Sequence, residues 1–332
     1  MTEIIPNFDP HAVLIAPWTE NLSLFGWIAA MGFAVTGACG LIGNYLMLRR
    51  MALMGDAVSH SVLPGLVAAF LISGSRGTLP MFVGALAAGG FTSVMIETIH
   101  KLTRVKQDAA IGITFSTLFA IGVVMTSIFA AQVDLDADCV LYGEIAFVPL
   151  EPMVSLGGIV LGPVPFVRMA SVLLVISLLI IAFYKQLLVS AFDPGLARSL
   201  GTNPVVMHYG LMAALSVVVV SAFESVGAIL VIAMLILPGA TASLISTRLS
   251  RVHLLSLLHA AISAWLGVTL GVWLDCSIAA AMVVAGALLF GVVWIVSPRE
   301  GLIVRWAGRR APVQIPPQHG SEADQSRQAV SR

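Results

Sequence analysis

Met51-Ala52-Leu53-Met54-Gly55-Asp56-Ala57-Val58-Ser59-His60-Ser61-Val62-Leu63-Pro64-Gly65 opens a run that stays apolar to Ile72 except at Asp56, Ser59, His60 and Ser61. A run of this length reads as a membrane-crossing helix, which needs about 20 predominantly apolar residues. On such a helix Asp56 and His60 stand at i and i+4, one turn apart on one face. An ionisable pair at bilayer depth is costly, and its default reading is a site or pathway for an ion. Carboxylate oxygen and imidazole nitrogen suit a borderline divalent cation such as zinc, manganese or iron(II). Pro64 removes the helical hydrogen bond to the His60 carbonyl, which leaves one more oxygen beside the pair. The residues alone leave a second reading open: Asp56 caps the helix start or neutralises His60, and two ligands do not complete a metal shell.

The rest of the chain has the same character. Of its 332 residues 58% are hydrophobic and 10% charged, with a mean hydropathy of +0.99; a soluble domain averages about 25% charged residues. This is an integral membrane protein. Its lysines, Lys101, Lys106 and Lys185, are never followed by Ser or Thr, so no phosphate-binding loop of the Walker type is present. If nucleotide drives the protein, another chain binds it. Cys39, Cys139 and Cys276 are too scattered for a disulfide framework or a zinc knuckle. A net charge of zero without a basic stripe argues against nucleic acid. Residues 1–20 show no basic n-region or small-residue cleavage site, so no cleaved signal peptide is expected. His-Glu-x-x-His and Gly-x-Ser-x-Gly are absent, and no enzyme signature replaces them.

The fold expected is all-α, a polytopic membrane bundle of about nine helices (eight to ten). The spans fall at 24–47, 55–73, 79–98, 109–131, 167–184, 205–223, 225–245, 253–274 and 276–297. The apolar, Gly- and Pro-rich segment 153–166 reads as a short re-entrant or interfacial piece. Fifteen of the seventeen Lys and Arg residues then lie on one side, Arg76 and Arg168 being the exceptions. By the positive-inside rule that side is the cytoplasm. The N-terminus is therefore outside and the C-terminus inside. Residues 1–22 form an extracytoplasmic segment, 23–298 the transmembrane domain, and 299–332 a cytoplasmic, largely disordered tail.

Other motifs are weaker. Leu237-Pro238-Gly239 in the seventh span repeats Leu63-Pro64-Gly65 in the second, which runs the opposite way, and Pro238 frees the Met234 carbonyl. Helix breaks at Pro64, Gly65, Pro238 and Gly239 fit a transport site built from discontinuous helices, and they equally fit two unrelated kinks. Asp193-Pro194 reads as an N-cap followed by Pro at N1, with Gly201 as the C-terminal cap of a short helix. The acidic stretch 132–144 reads as a solvated outer loop that can attract cations. Glu97 and His100 sit at i and i+3 near a span end, as an exit site or simply solvated. Glu224 and Asp275 fall at outer boundaries, and His208, His253 and His259 read as lone structural residues.

Taken together, Leu48–Gly65 closely resembles the signature of the membrane permease subunits of zinc/manganese/iron ABC importers. The segments Phe192-Asp193-Pro194…Ala197-Arg198…Leu200-Gly201 and Val226–Val231…Leu237–Ala242 are similar to the same family. Leu141-Tyr142-Gly143-Glu144 resembles its Leu-Phe-Gly element. The resemblance spans about residues 25–297. It implies a permease dimer, of two copies or of this chain with a related one, in the bacterial cytoplasmic membrane. An ABC ATPase subunit binds on the inside and an extracytoplasmic metal-binding protein delivers manganese, zinc or iron from outside. Asp56 and His60 become transient pore contacts, and Asp193, Pro194, Ala197, Arg198 and Gly201 belong to the ATPase-coupling helix. No cofactor is bound by the chain itself, the metal being cargo. Glu224 departs from the uncharged residue expected at its position. The rival class is a proton-coupled secondary cation transporter in which Asp56 and His60 titrate.

Overall fold

In a computed structural model, residues 9–74, 78–129, 145–156, 158–297 and 301 are described. The acidic stretch 132–144, with Cys139 and Leu141–Glu144, lies outside the described residues, as do Arg76, the first eight residues and the tail from 302 onward.

The chain is a helical bundle. Besides short helical segments at His11–Ile15, Ala16–Thr19 and Ile145–Leu150, its helices are α1 (Leu22–Leu48), α2 (Met54–Ser73), α3 (Thr78–Leu102), α4 (Gln107–Phe129), α5 (Val164–Ala182), α6 (Tyr184–Phe192), α7 (Pro194–Ser199), α8 (Pro204–Val226), α9 (Ala228–Ile245), α10 (Leu249–Leu274) and α11 (Ile278–Val296). Eight of them are long and apolar enough to cross a membrane, and α9 supplies a shorter apolar ninth. This matches the expected set within a few residues at each end. Residues 225–226 close α8 instead of opening the next span, because Gly227, at φ +84°, turns the chain between α8 and α9.

Within the segment 153–166, expected as a re-entrant or interfacial piece, β1 (Met153–Leu156) and β2 (Ile159–Pro163) pair antiparallel, and β2 leads directly into α5. β-branched residues and a Gly158 at φ +87° favour this pairing, which satisfies backbone groups that an irregular segment would leave open. Trp27 of α1 meets Phe166 of α5, ring centroids 5.1 Å apart, and its ring also lies over Gly162 of β2, where a Cβ would overlap it.

Helix α1 is the hub. It packs against α5, α8, α9 and α10, and Met31, Val35, Ala38 and Tyr45 are fully buried. Its approach to α9 is set by Gly43: a Cβ there would overlap the Leu235 carbonyl oxygen. A second unit, α2 to α4, closes in a similar way. A Cβ on Gly65 of α2 would overlap the Gly84 carbonyl of α3, and a Cβ on Gly84 would overlap the Gly65 carbonyl. Small residues let helix backbones meet closely where no hydrophobic force separates lipid from protein.

Candidate functional site

The turn from α1 to α2 positions the ionisable pair. Arg50, at φ +57°, reverses the chain, and Arg50 N–H bonds the Met47 carbonyl (3.0 Å) while Met51 N–H bonds that of Leu46 (2.8 Å). Met54 N–H then bonds the Met51 carbonyl (3.0 Å), so α2 starts within a tightly closed turn. Leu53 occupies the N-cap without a side-chain cap bond, and Asp56 falls inside the first turn. Asp56 is therefore not the cap, although a carboxylate there is favoured by the helix dipole.

Of the four polar residues in this run, two are consumed by packing. The Ser59 hydroxyl donates to the Gly55 carbonyl (2.9 Å); that of Ser61 donates to the Val58 carbonyl (3.1 Å) and accepts from Thr92 (2.6 Å). Asp56 and His60 instead retain side-chain exposures of 29% and 26% and face each other, Oδ1 to Nε2, at 3.2 Å. The His60 ring lies against Phe115 and Phe119 of α4, with centroids at 5.9 and 6.0 Å. A carboxylate oxygen and an imidazole nitrogen at this separation can each ligate one divalent cation. Among the described residues no cluster of three or more His, Cys, Asp and Glu gathers around a common point, and those residues offer this site the two side chains of Asp56 and His60.

Both prolines lie inside continuous helices, so each removes one backbone bond without ending its helix. Pro64 and Gly65 line an apolar groove of about 750 Å³ between α2, α3 and α4, together with Ser61, Gly84, Phe91 and Leu118. Pro238 and Gly239 are buried. Pro238 packs on Gly40 of α1, and Gly239 lies beside Asn44, which bonds the buried His253 at Nδ1 (2.9 Å) and accepts from Ser256 (3.2 Å).

The 193–201 segment has the anticipated geometry. Asp193 Oδ1 accepts from Gly195 N–H (2.9 Å) and Leu196 N–H (3.0 Å), Pro194 is at N1, and Gly201 sits at φ +79°. Ala197 is buried against the bundle, while Arg198, Leu196 and Leu200 are exposed. Asn203, unremarked in the sequence, caps α8 through Val205 N–H (3.0 Å).

Two charge clusters were not legible in advance. Glu97 pairs with His208 (3.2 Å) and Lys101 (2.6 Å) and not with His100, which bonds the Val105 carbonyl. His208, read as a lone residue, also meets Arg49 Nη1 at 3.1 Å, and Arg49 Nη2 donates to Ser190 (2.9 Å). Burial lowers the Arg49 pKa from its ordinary range, and the Glu97 charge opposes that shift. At the other end of the bundle Arg168 of α5 forms an ion pair with Glu224 of α8. The cation that broke the charge pattern and the acid that broke the family pattern are partners.

Residues 22–297 match the family described as the ABC 3 transport family. The chain is 43% identical to the manganese transport system membrane protein MntD of Bacillus subtilis over 284 residues, 86% of this chain and 96% of that one. It is 42% identical to the zinc transport system membrane protein TroD of Treponema pallidum, over 86% of this chain and 77% of the relative. The solved structure of PsaBC from Streptococcus pneumoniae in complex with Fab superposes with a TM-score of 0.72 at 31% identity, covering 90% of this chain and 100% of that one.

Proposed function

Because this chain belongs to the ABC 3 transport family, we propose that it is the permease subunit of an importer that moves a divalent transition-metal ion into the bacterial cytoplasm. ATP is hydrolysed in a partner ATPase, since no lysine of this chain sits in a phosphate-binding loop. The observation that carries the reading is the Asp56–His60 pair, ionisable, partly exposed and one turn into a membrane helix. Asp56 and His60 contact the ion in passage. A second permease, identical or related, packs beside this one and can add ligands to those of Asp56 and His60. Few ligands per chain also suit a site that must release its cargo. Manganese, zinc and iron(II) all fit this donor set, and the relatives named for manganese and zinc support that range.

The α7 helix seats in the ATPase. Its capped start and its exposed Leu196 and Leu200 support that role. The Lys- and Arg-rich end of the bundle faces the cytoplasm, and an extracytoplasmic metal-binding protein loads the opposite end. A carboxylate beside an imidazole also suits a proton-coupled carrier, and one experiment separates the two. In proteoliposomes, manganese(II) or zinc(II) uptake is expected only with the ATPase, the binding protein and ATP present. Uptake by the permease alone, driven by a pH gradient, would overturn the ABC reading.

A further inference from the structure

We propose that Arg49, His208 and Glu97 are positioning residues that carry movement of α7 to the Asp56–His60 pair. The proposal rests on the reading of α7 as the ATPase-coupling helix. α7 is held by its flanks: α6 ends just before Asp193 and α8 begins just after Thr202. One guanidinium grips both. Arg49 Nη2 donates to Ser190 on the last turn of α6, at 2.9 Å, and Nη1 donates to His208 Nδ1 on the second turn of α8, at 3.1 Å.

An arginine can only donate, so His208 Nδ1 is the acceptor and its proton resides on Nε2. That Nε2–H donates to Glu97 Oε2 of α3 at 3.2 Å. Both ring nitrogens are committed, and the polarity runs one way, from Arg49 through His208 to Glu97. Glu97 and His208 are largely buried, so the link is screened less than a surface pair, whereas Lys101 is 52% exposed and peripheral.

The other end of the link is the turn that starts α2. Arg49 directly follows α1, and the bonds of Arg50, Met51 and Met54 close the chain into α2 with Met51 and Met54 buried. A shift of Arg49 therefore shifts the first turn of α2, where Asp56 stands. Arg49, through Ser190 and His208, joins the two flanks of α7 to the helix that carries the ion contacts, and Glu97 holds the His208 ring in place.

The test uses the whole importer, permease with ATPase and binding protein, in proteoliposomes with manganese(II), and zinc(II) in parallel. ATP hydrolysis and metal uptake are measured together. His208→Leu keeps the volume and loses both bonds: ATP hydrolysis is expected within about twofold of wild type, with metal moved per ATP down about tenfold. His208→Gln restores an acceptor toward Arg49 and a donor toward Glu97, and is expected to recover the ratio to within about threefold of wild type. A role limited to filling space would be met equally well by Leu, so wild-type coupling in His208→Leu overturns the link. A Gln variant no better than the Leu variant does the same. Should His208→Leu fail to assemble, Arg49→Lys takes its place: an ammonium reaches only one of the two flanks at a time, and undiminished coupling there is likewise fatal. Absence of metal uptake by the wild-type complex would remove the permease reading itself, and this link with it.

Discussion

Leu63-Pro64-Gly65 and Leu237-Pro238-Gly239 are the same three residues in two settings. In α2 the proline lines an apolar groove and leans on α4 at Gly122, one turn beyond a part-exposed ionisable pair. In α9 the proline is buried against Gly40 of α1, its glycine abuts Asn44, and the Leu235 carbonyl occupies the space a side chain at Gly43 would need. Each proline removes one helical hydrogen bond. The consequence of that loss depends on the neighbours: beside His60 it loosens a helix that borders open volume, and in α9 it belongs to the closest-packed crossing of the hub helix. An echo in sequence is therefore not an echo in role.

The largest expected effect tests the buried member. Gly43→Ala drives a methyl into the Leu235 carbonyl, and overpacking of this kind costs about 3 kcal/mol or more where backbone must move. A sharp fall in melting temperature and in monodisperse yield is expected; a variant that melts like wild type would break the account of this crossing.

The next effect belongs to the α2 side and separates function from stability. Asp56→Asn and His60→Ala should each lower metal uptake by more than about tenfold, the scale on which even outer-shell changes act. Assembly and ATP hydrolysis should persist, because a part-exposed ion pair contributes only about 1 kcal/mol or less to stability. Near-normal uptake in both variants would take the pair out of the pathway.

Comparing Pro64→Ala with Pro238→Ala sharpens the contrast directly. Both restore an N–H, but Pro238→Ala also empties buried volume worth about 1.5 kcal/mol of apolar contact. Uptake should suffer more from Pro64→Ala and thermal stability more from Pro238→Ala. The same ranking in both assays would show that the two settings do not differ in role. The smallest effect serves as a baseline away from both prolines. Arg168→Gln should shift stability by less than about 1 kcal/mol, fading at high salt, and the double swap Arg168→Glu with Glu224→Arg should recover it.

Much of the molecule is legible in one dimension. Long apolar runs locate the spans, and an Asp-Pro start with a Gly stop locates α7, because these signals are local. The pairing of β1 with β2 is not legible, because a short apolar run with Gly and Pro has the same composition whether or not it pairs with itself. The partners of Arg168, Glu224, His208 and Arg49 are not legible for another reason. They are far away in sequence, and no spacing rule links position 49 to 190 and 208.

By itself the sequence determined a multi-pass helical membrane protein, the face shared by Asp56 and His60, and the caps of α7, since hydropathy, helical periodicity and capping act within a few residues. Only the tertiary structure decided which polar groups of α2 are spent on packing and which stay exposed, which proline is clamped, and how Arg49 ties α6 and α8 to the start of α2. Those outcomes depend on which helix backbones come close enough to touch, and that is set by small residues on separate helices meeting in space.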